Sequence, residues 1–443
     1  MSASFPVTIY RLSKKRLGFV ALLTAIRVAI DLIYVFHVSE LFSYAGHYVE
    51  LDWYVVLLSY SLLVAAISAV PLEEAKPSTL ISVFLLALVL LPLTSYWGLT
   101  GRGLEMVLLA AMAIAIVIFV TAYTPLINIS YLKERKIILL LFSVIAFVIV
   151  SLFTVRSGRL TTMNFNLADV YQYRGDVKEI LAAGLTGYVF GWVAKALLPA
   201  FIALALASRQ YATGLALLAA SVVLFGVTGF KGILIYAVIV PVCFWAIMMS
   251  RLHWINSLMT IVLVSLAGSL FLWLNSGVPG PATIFGMRGF VVTAQNHIEY
   301  FEFFTRNEYT YWSNSFLRHF VESRYEMKIP EIIGFGRYQK DQIAFANTGF
   351  IASGFMHAGI LGVVIYSIGV GVVAKAFDVL VVNRVPLSVG LTLAFSASVQ
   401  LVSADLPQAI LSHGIGVSLL VLYLVWRTKW NPLRGDRSVY RTL

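Results

Sequence analysis

Three polar constellations interrupt an otherwise apolar chain, and each holds residue types suited to chemistry on a phosphorylated sugar. The first is Asn164-Phe165-Asn166-Leu167-Ala168-Asp169-Val170-Tyr171-Gln172-Tyr173-Arg174, preceded by Arg156 and Arg159. Guanidinium forks bind phosphate oxygens in pairs, which suits a diphosphate. Tyr171 and its aromatic neighbours offer flat faces for a sugar ring. Asp169 and Arg174 stand five apart, off a common helical face, so they need not neutralise one another. The second is the turn Thr228-Gly229-Phe230-Lys231-Gly232, where glycines let the backbone approach a ligand and Lys231 brings a cation to the start of a helix. It lacks the Gly-x4-Gly-Lys-Ser/Thr spacing of a P-loop. The third runs from Asn347 to Gly362 and carries His357 one or two turns into an apolar stretch. Its glycines and alanines recur at spacings that favour close helix packing. His357 is either a packing residue or a proton acceptor, and Asp405 and His413 stand where they can line the same cavity.

Between the second and third constellations lies the longest polar segment, Gly277 to Ala346. Its seven Lys/Arg (288, 306, 318, 324, 328, 337, 340) are matched by seven acids (299, 302, 308, 322, 326, 331, 341), so it is no simple electrostatic trap. Binding an anion there requires selected arginines to escape pairing, with Arg288, Arg318 and Arg324 as candidates. Arg288 is the least open to local neutralisation, because no acid lies within ten residues of it. Within the segment, 297–304 and 309–325 read as short amphipathic helices near the membrane interface.

The elements that must position these groups are membrane helices. The chain is 60% hydrophobic and 12% charged, which excludes an ordinary soluble domain. Apolar runs of about 20 residues, enough to cross a bilayer core of roughly 30 Å, recur throughout. The pattern predicts an all-α polytopic membrane domain over 1–443 with about twelve spans: 17–37, 53–71, 79–97, 104–125, 137–155, 187–207, 212–228, 232–249, 258–275, 347–374, 386–404 and 408–426. Two large loops, 156–186 and 277–346, fall on one side. Lys and Arg concentrate on the other, at the N-terminus, Lys76, 133–136, Arg209, Arg251, Arg384 and 427–441, whereas 38–52 has none. By the positive-inside rule both termini are cytoplasmic and the large loops face outward. That placement accounts for the net charge of +11 without a nucleic-acid partner. The single cysteine, Cys243, rules out an intramolecular disulfide and a cysteine metal site. Inside the spans, Arg27 and Asp31 sit four apart on one face and can pair. Lys195 has no partner within its own helix, which suits either helix packing or contact with a lipid phosphate.

At the three constellations the chain resembles the Wzy-type O-antigen polymerases, which join oligosaccharide repeat units of bacterial surface polysaccharides. The Arg-x10-Gly spacing that some members carry in each large loop is absent: Arg174 precedes Gly184 by one residue too few, and Arg324 is one off from Gly334 and Gly336. The resemblance implies a GT-C-like, metal-independent glycosyltransferase of the bacterial inner membrane, without cofactor, acting at the periplasmic face. Its substrates would be undecaprenyl diphosphate-linked oligosaccharides in the bilayer, with undecaprenyl diphosphate as leaving group and a polysaccharide chain-length regulator as a further partner. On that reading His357, Asp169 and Arg288 serve catalysis. Arg156, Arg159, Arg174, Tyr171, Lys231, Arg318 and Arg324 hold diphosphate and glycan. An O-antigen ligase and a transporter of lipid-linked sugars remain alternatives.

Overall fold

The computed structural model describes residues 14–72, 75–127, 129–130, 132–165, 185–249, 254–315, 317, 320–337, 345–382 and 384–425. These residues are helical with short connections, as expected where lipid leaves no water to satisfy the backbone. Among the described residues nine helices are long and apolar enough to cross a membrane: α1 (Arg16–Leu41), α3 (Pro77–Thr100), α4 (Leu104–Tyr123), α5 (Arg135–Arg156), α6 (Thr186–Ala207), α7 (Tyr211–Thr228), α9 (Trp254–Ser276), α12 (Phe350–Val381) and α14 (Leu406–Val425). The other three expected spans are also helical but shorter in their apolar part: α2 (Trp53–Ala69), α8 (Lys231–Met249, apolar over Gly232–Met248) and α13 (Leu387–Ser403). Between α9 and α12 come α10 (Val292–Phe304) and α11 (Ile329–Arg337).

Several helices carry local irregularities with identifiable causes. Widened π-turns at Leu86–Leu90 and Val193–Leu197 are each followed two residues later by a proline, Pro92 and Pro199. Proline cannot donate to the carbonyl four residues back and its ring crowds it, so the preceding turn opens. The Lys195 carbonyl, four residues before Pro199, accepts the Ser396 hydroxyl of α13 at 2.8 Å.

The paired intramembrane charges behave as expected. Arg27 and Asp31 form an ion pair, and Arg27 also donates to the Thr94 carbonyl at 2.6 Å and to Ser59 at 3.2 Å. Tyr60 donates to Asp31 at 2.8 Å and Ser95 donates to it as well. This network ties α1, α2 and α3 together and consumes its own charge.

Three expectations need correction. The segment after α9 is not a loop at first: it is helical from Pro279 through the π-turn Ala282–Val291 into α10. That helix packs into the bundle, for His297, Tyr300 and Phe304 are each 1% exposed, and Gly286 abuts Ile33 of α1. The described residues of 309–325 form turns, not a helix, and Tyr311 and Trp312 have positive φ (44° and 61°). The span expected over 347–374 is broken. Ala358 (φ −154°) and Gly359 (φ 60°) leave helical geometry and divide α12 into a short limb, from Phe350 to His357, and a long one ending at Val381. In a straight helix Gly354 and Gly362 would stand about 12 Å apart. Here a Cβ on Gly354 would meet the Gly362 carbonyl at 2.9 Å, so the chain doubles back with the two backbones in contact.

Candidate functional site

The reversal at Gly359 presents His357 to the turn that follows α10. Gly359 is required twice over: its φ is left-handed, and a Cβ there would meet the Tyr309 hydroxyl at 2.9 Å. The turn is stitched to α12 by backbone bonds, Thr310 N–H to the Met356 carbonyl (3.0 Å) and Tyr311 N–H to the His357 carbonyl (3.1 Å). The Trp312 backbone N–H donates to His357 Nδ1 at 3.2 Å, and the Thr310 hydroxyl lies 2.7 Å from the same nitrogen. Since Nδ1 accepts, Nε2 carries the proton, and it points at Asp405 Oδ1, 3.3 Å away. The Trp312 indole stacks on the imidazole with centroids 5.2 Å apart.

Asp405 occupies the link between α13 and α14. Tyr366 donates to its Oδ1 at 2.8 Å and Ser315 to its Oδ2 at 2.8 Å, while the Trp312 indole N–H donates to the Tyr366 hydroxyl at 2.9 Å. Burial alone would raise the Asp405 carboxyl. The hydrogen bonds from His357, Ser315 and Tyr366 outweigh it and hold the group below the usual carboxylate range. Asp405 keeps 14% of its side chain exposed, whereas His357 is fully buried. The cluster therefore offers one ionised, reachable carboxylate beside aromatic rings, and His357 holds it in place.

The residues predicted from sequence distribute as follows. Asn164 donates its N–H to the Gly226 carbonyl at 2.9 Å, and the Phe165 ring fills the space a Cβ on Gly226 would need. The first two residues of the first constellation, Asn164 and Phe165, are thus docked beside the helix that leads into the second, whose turn is formed by Gly229 in the left-handed region (φ 68°). Lys231 opens α8, its side chain lying outside the described residues, as do Asp169, Tyr171, Arg174 and Arg318. Arg156 is exposed at the end of α5 and Arg159 half-buried just beyond it. Arg288 is exposed on the π-turn Ala282–Val291. Arg324 pairs with Glu308 and lies over the Tyr311 ring at 5.4 Å, so it braces the turn that carries Trp312. His413 does not join Asp405: it sits in a break of α14 beside Lys195.

Sequence reasoning missed Tyr366, Trp312, Ser315 and Arg102. Arg102, between α3 and α4, grips both carboxylate oxygens of Glu302 on α10 (2.8 and 2.9 Å) and ties the helical segment to the bundle. Only Arg102 carried a signal, as a lone charge between two apolar runs. A groove of about 590 Å³ between α5, α6 and α7 is lined by residues such as Phe147, Leu152, Phe201 and Leu217 and contains none of these groups. Among the described residues no cluster of three His, Cys, Asp or Glu is disposed to hold a metal. No protein-family model, curated protein or solved structure matches the chain.

Proposed function

We propose that this protein is a GT-C-like glycosyltransferase of the Wzy type, polymerising undecaprenyl diphosphate-linked repeat units at the periplasmic face of the bacterial inner membrane. On this reading the chain crosses twelve times with both termini cytoplasmic, the three shorter helices α2, α8 and α13 included. The observation that carries the reading is the Asp405 cluster: an ionised carboxylate, wedged between aromatic side chains, at the end of the bundle that bears the arginine-rich Gly277–Ala346 segment. Sugars are bound by such pairings of carboxylates with flat apolar rings. Two of the charges inside the spans, Arg27 and Asp31, are consumed by one another, which disfavours a transport site built on them at the midplane.

In the reaction, a hydroxyl of the acceptor sugar attacks the anomeric carbon of the donor glycan. The bond from that carbon to the diphosphate oxygen breaks, and its electron pair leaves with undecaprenyl diphosphate. The hydroxyl proton passes to Asp405 and on to water. Asp405 takes this role from His357, whose two ring nitrogens are both engaged and whose ring is fully buried. Arg156, Arg159 and Arg288, with Arg174 and Arg318, are the candidates to meet the departing diphosphate charge. The purified protein, given synthetic undecaprenyl diphosphate-linked repeat units alone, should yield a ladder spaced by one repeat. Transfer only after lipid A core is added would mean a ligase.

A further inference from the structure

The short limb of α12 starts with its backbone donors open. Its first helical bond runs from the Ser353 N–H to the Gly349 carbonyl at 3.0 Å. The N–H groups of Phe350, Ile351 and Ala352 precede that bond, and all three residues are buried. A helix start commonly meets such donors with the side chain of a Ser, Thr, Asp or Asn cap. Here the cap is Gly349, which has no side chain, and no acid stands in the first turn. Among the described residues no group accepts from these three N–H groups. Packing imposes the glycine: a Cβ would lie 2.5 Å from the Leu401 and Val402 carbonyl oxygens in the last turn of α13. The residue that lets α12 approach α13 so closely is therefore one that cannot cap α12.

Two hydroxyls flank the same turn. Thr348, just before the cap, is 7% exposed, and Ser353, just past the third open N–H, is 2% exposed. Neither hydroxyl has a hydrogen-bond partner. Ser367, further along α12, turns back on its own helix and donates to the Val363 carbonyl at 2.7 Å, but Ser353 does not. Side chains on a helix lean toward its N-terminus, so the Ser353 side chain lies over the open turn. Buried donors without acceptors are costly, and here three N–H groups and two hydroxyls gather at one helix start. The helix dipole adds partial positive charge at the same point. Asn347, next to Thr348, is exposed, so the group lies just beneath the surface. Donors in this number, with positive charge behind them, suit the oxygens of a phosphoryl group.

We propose that the N-terminus of the short limb, with Thr348 and Ser353, is a binding site for a phosphoryl group. The limb then has two working ends: His357, about 10 Å further along it, holds Asp405. Assignment of the phosphoryl group to undecaprenyl diphosphate rests on the function proposed above. A soluble phosphate has the same chemistry.

The test is calorimetric titration of the full-length protein in detergent, with pyrophosphate and undecaprenyl diphosphate as separate ligands. Ser353→Ala and Thr348→Val should each weaken binding by about tenfold, the loss expected of one hydrogen bond to a charged group. Their melting temperatures should equal or exceed the wild type's, because each variant removes a buried hydroxyl that has no partner within the protein. Thr348→Ser, which keeps the hydroxyl, should bind as the wild type does. Weakening toward both ligands would support the site and assign it to the diphosphate group itself. Weakening toward undecaprenyl diphosphate alone would support it and assign it to a lipid-borne phosphate, and weakening toward pyrophosphate alone would assign it to a soluble one. Unchanged affinity for both ligands in folded variants, or no binding of either by the wild type, would overturn it and leave the donors to water. Binding requires no turnover: hydroxyl-dependent binding without a product ladder would sink the polymerase reading alone, and a ladder with unchanged binding in both variants would sink this site alone.

Discussion

Asp405 and His357 stand 48 residues apart in sequence and 3.3 Å apart in space. The contact exists because α12 reverses at Gly359 and because the link between α13 and α14 brings a carboxylate to the same point. The division of labour between them follows from exposure: the carboxylate is reachable and the imidazole is not. Asp405→Asn keeps the shape and removes the charge. It should lower polymerisation by about a hundredfold or more while the melting temperature stays close to wild type. Activity within a few fold of wild type would remove Asp405 from the chemistry.

His357 is expected to act through position. His357→Ala removes the acceptor for the Trp312 N–H and the Thr310 hydroxyl and opens a cavity under the Trp312 ring. The expected cost is about 2–4 kcal/mol of stability, with a shift in tryptophan emission as Trp312 loses its stacking partner. Tyr366→Phe should leave the fold intact and reduce activity by about tenfold, because it breaks the relay from Trp312 to Asp405. If polymer length and amount are unchanged in His357→Ala, the residue is packing only.

Gly359→Ala tests the helix reversal. The new methyl would meet the Tyr309 ring in a left-handed backbone, costing about 2 kcal/mol or more. A melting curve in detergent identical to wild type would mean that the two limbs of α12 are not joined this way.

The Arg27–Asp31 pair tests whether the midplane charge is structural. Removing one partner by Arg27→Met should cost about 3–5 kcal/mol, since Asp31 is left buried and charged. The double variant Arg27→Met/Asp31→Leu should recover most of that loss and retain polymerisation. A stable double variant with abolished activity would return the midplane to the list of functional sites.

His297 makes stability depend on pH in a defined direction. Burial holds its imidazole at about 4, with Nδ1 bonded to the Thr293 carbonyl at 2.7 Å and Nε2 buried without a hydrogen-bond partner. The unfolded chain has the ordinary value of about 6.5 and so binds more protons between the two. Its contribution is complete above pH 6.5 and is lost as pH falls toward 4, by up to about 3 kcal/mol. His297→Gln should flatten that part of the curve. A wild-type melting temperature that does not fall between pH 7 and pH 5 would contradict the assignment.

Much of the helical framework is legible in the sequence because lipid enforces one solution for apolar runs: helix is found in each expected segment, though α12 is broken at Ala358–Gly359 and α14 between Leu411 and Ile415. The pairing of Arg27 with Asp31 is legible for a similar reason, a four-residue spacing on one helix. Residues 309–325 were not legible: their composition is amphipathic, but Tyr311 and Trp312 are drawn out of helical geometry by bonds to Met356 and His357. The break at Ala358–Gly359 hides inside an unbroken apolar run, where hydropathy has nothing to report. His357 and Asp405 each stood out as polar groups at the ends of spans. That they meet depends on a tertiary reversal with no local signature, and Tyr366 and Trp312 pass for ordinary aromatic residues until that reversal is known.

The most direct measurement is polymerisation by the reconstituted full-length protein, wild type beside Asp405→Asn, with undecaprenyl diphosphate-linked repeat units as the only substrates. The account predicts a ladder spaced by one repeat from the wild type, its near disappearance in Asp405→Asn, and no need for nucleotide sugar or lipid A core. No ladder from a folded wild type, or transport of the substrate across the bilayer in its place, would contradict it.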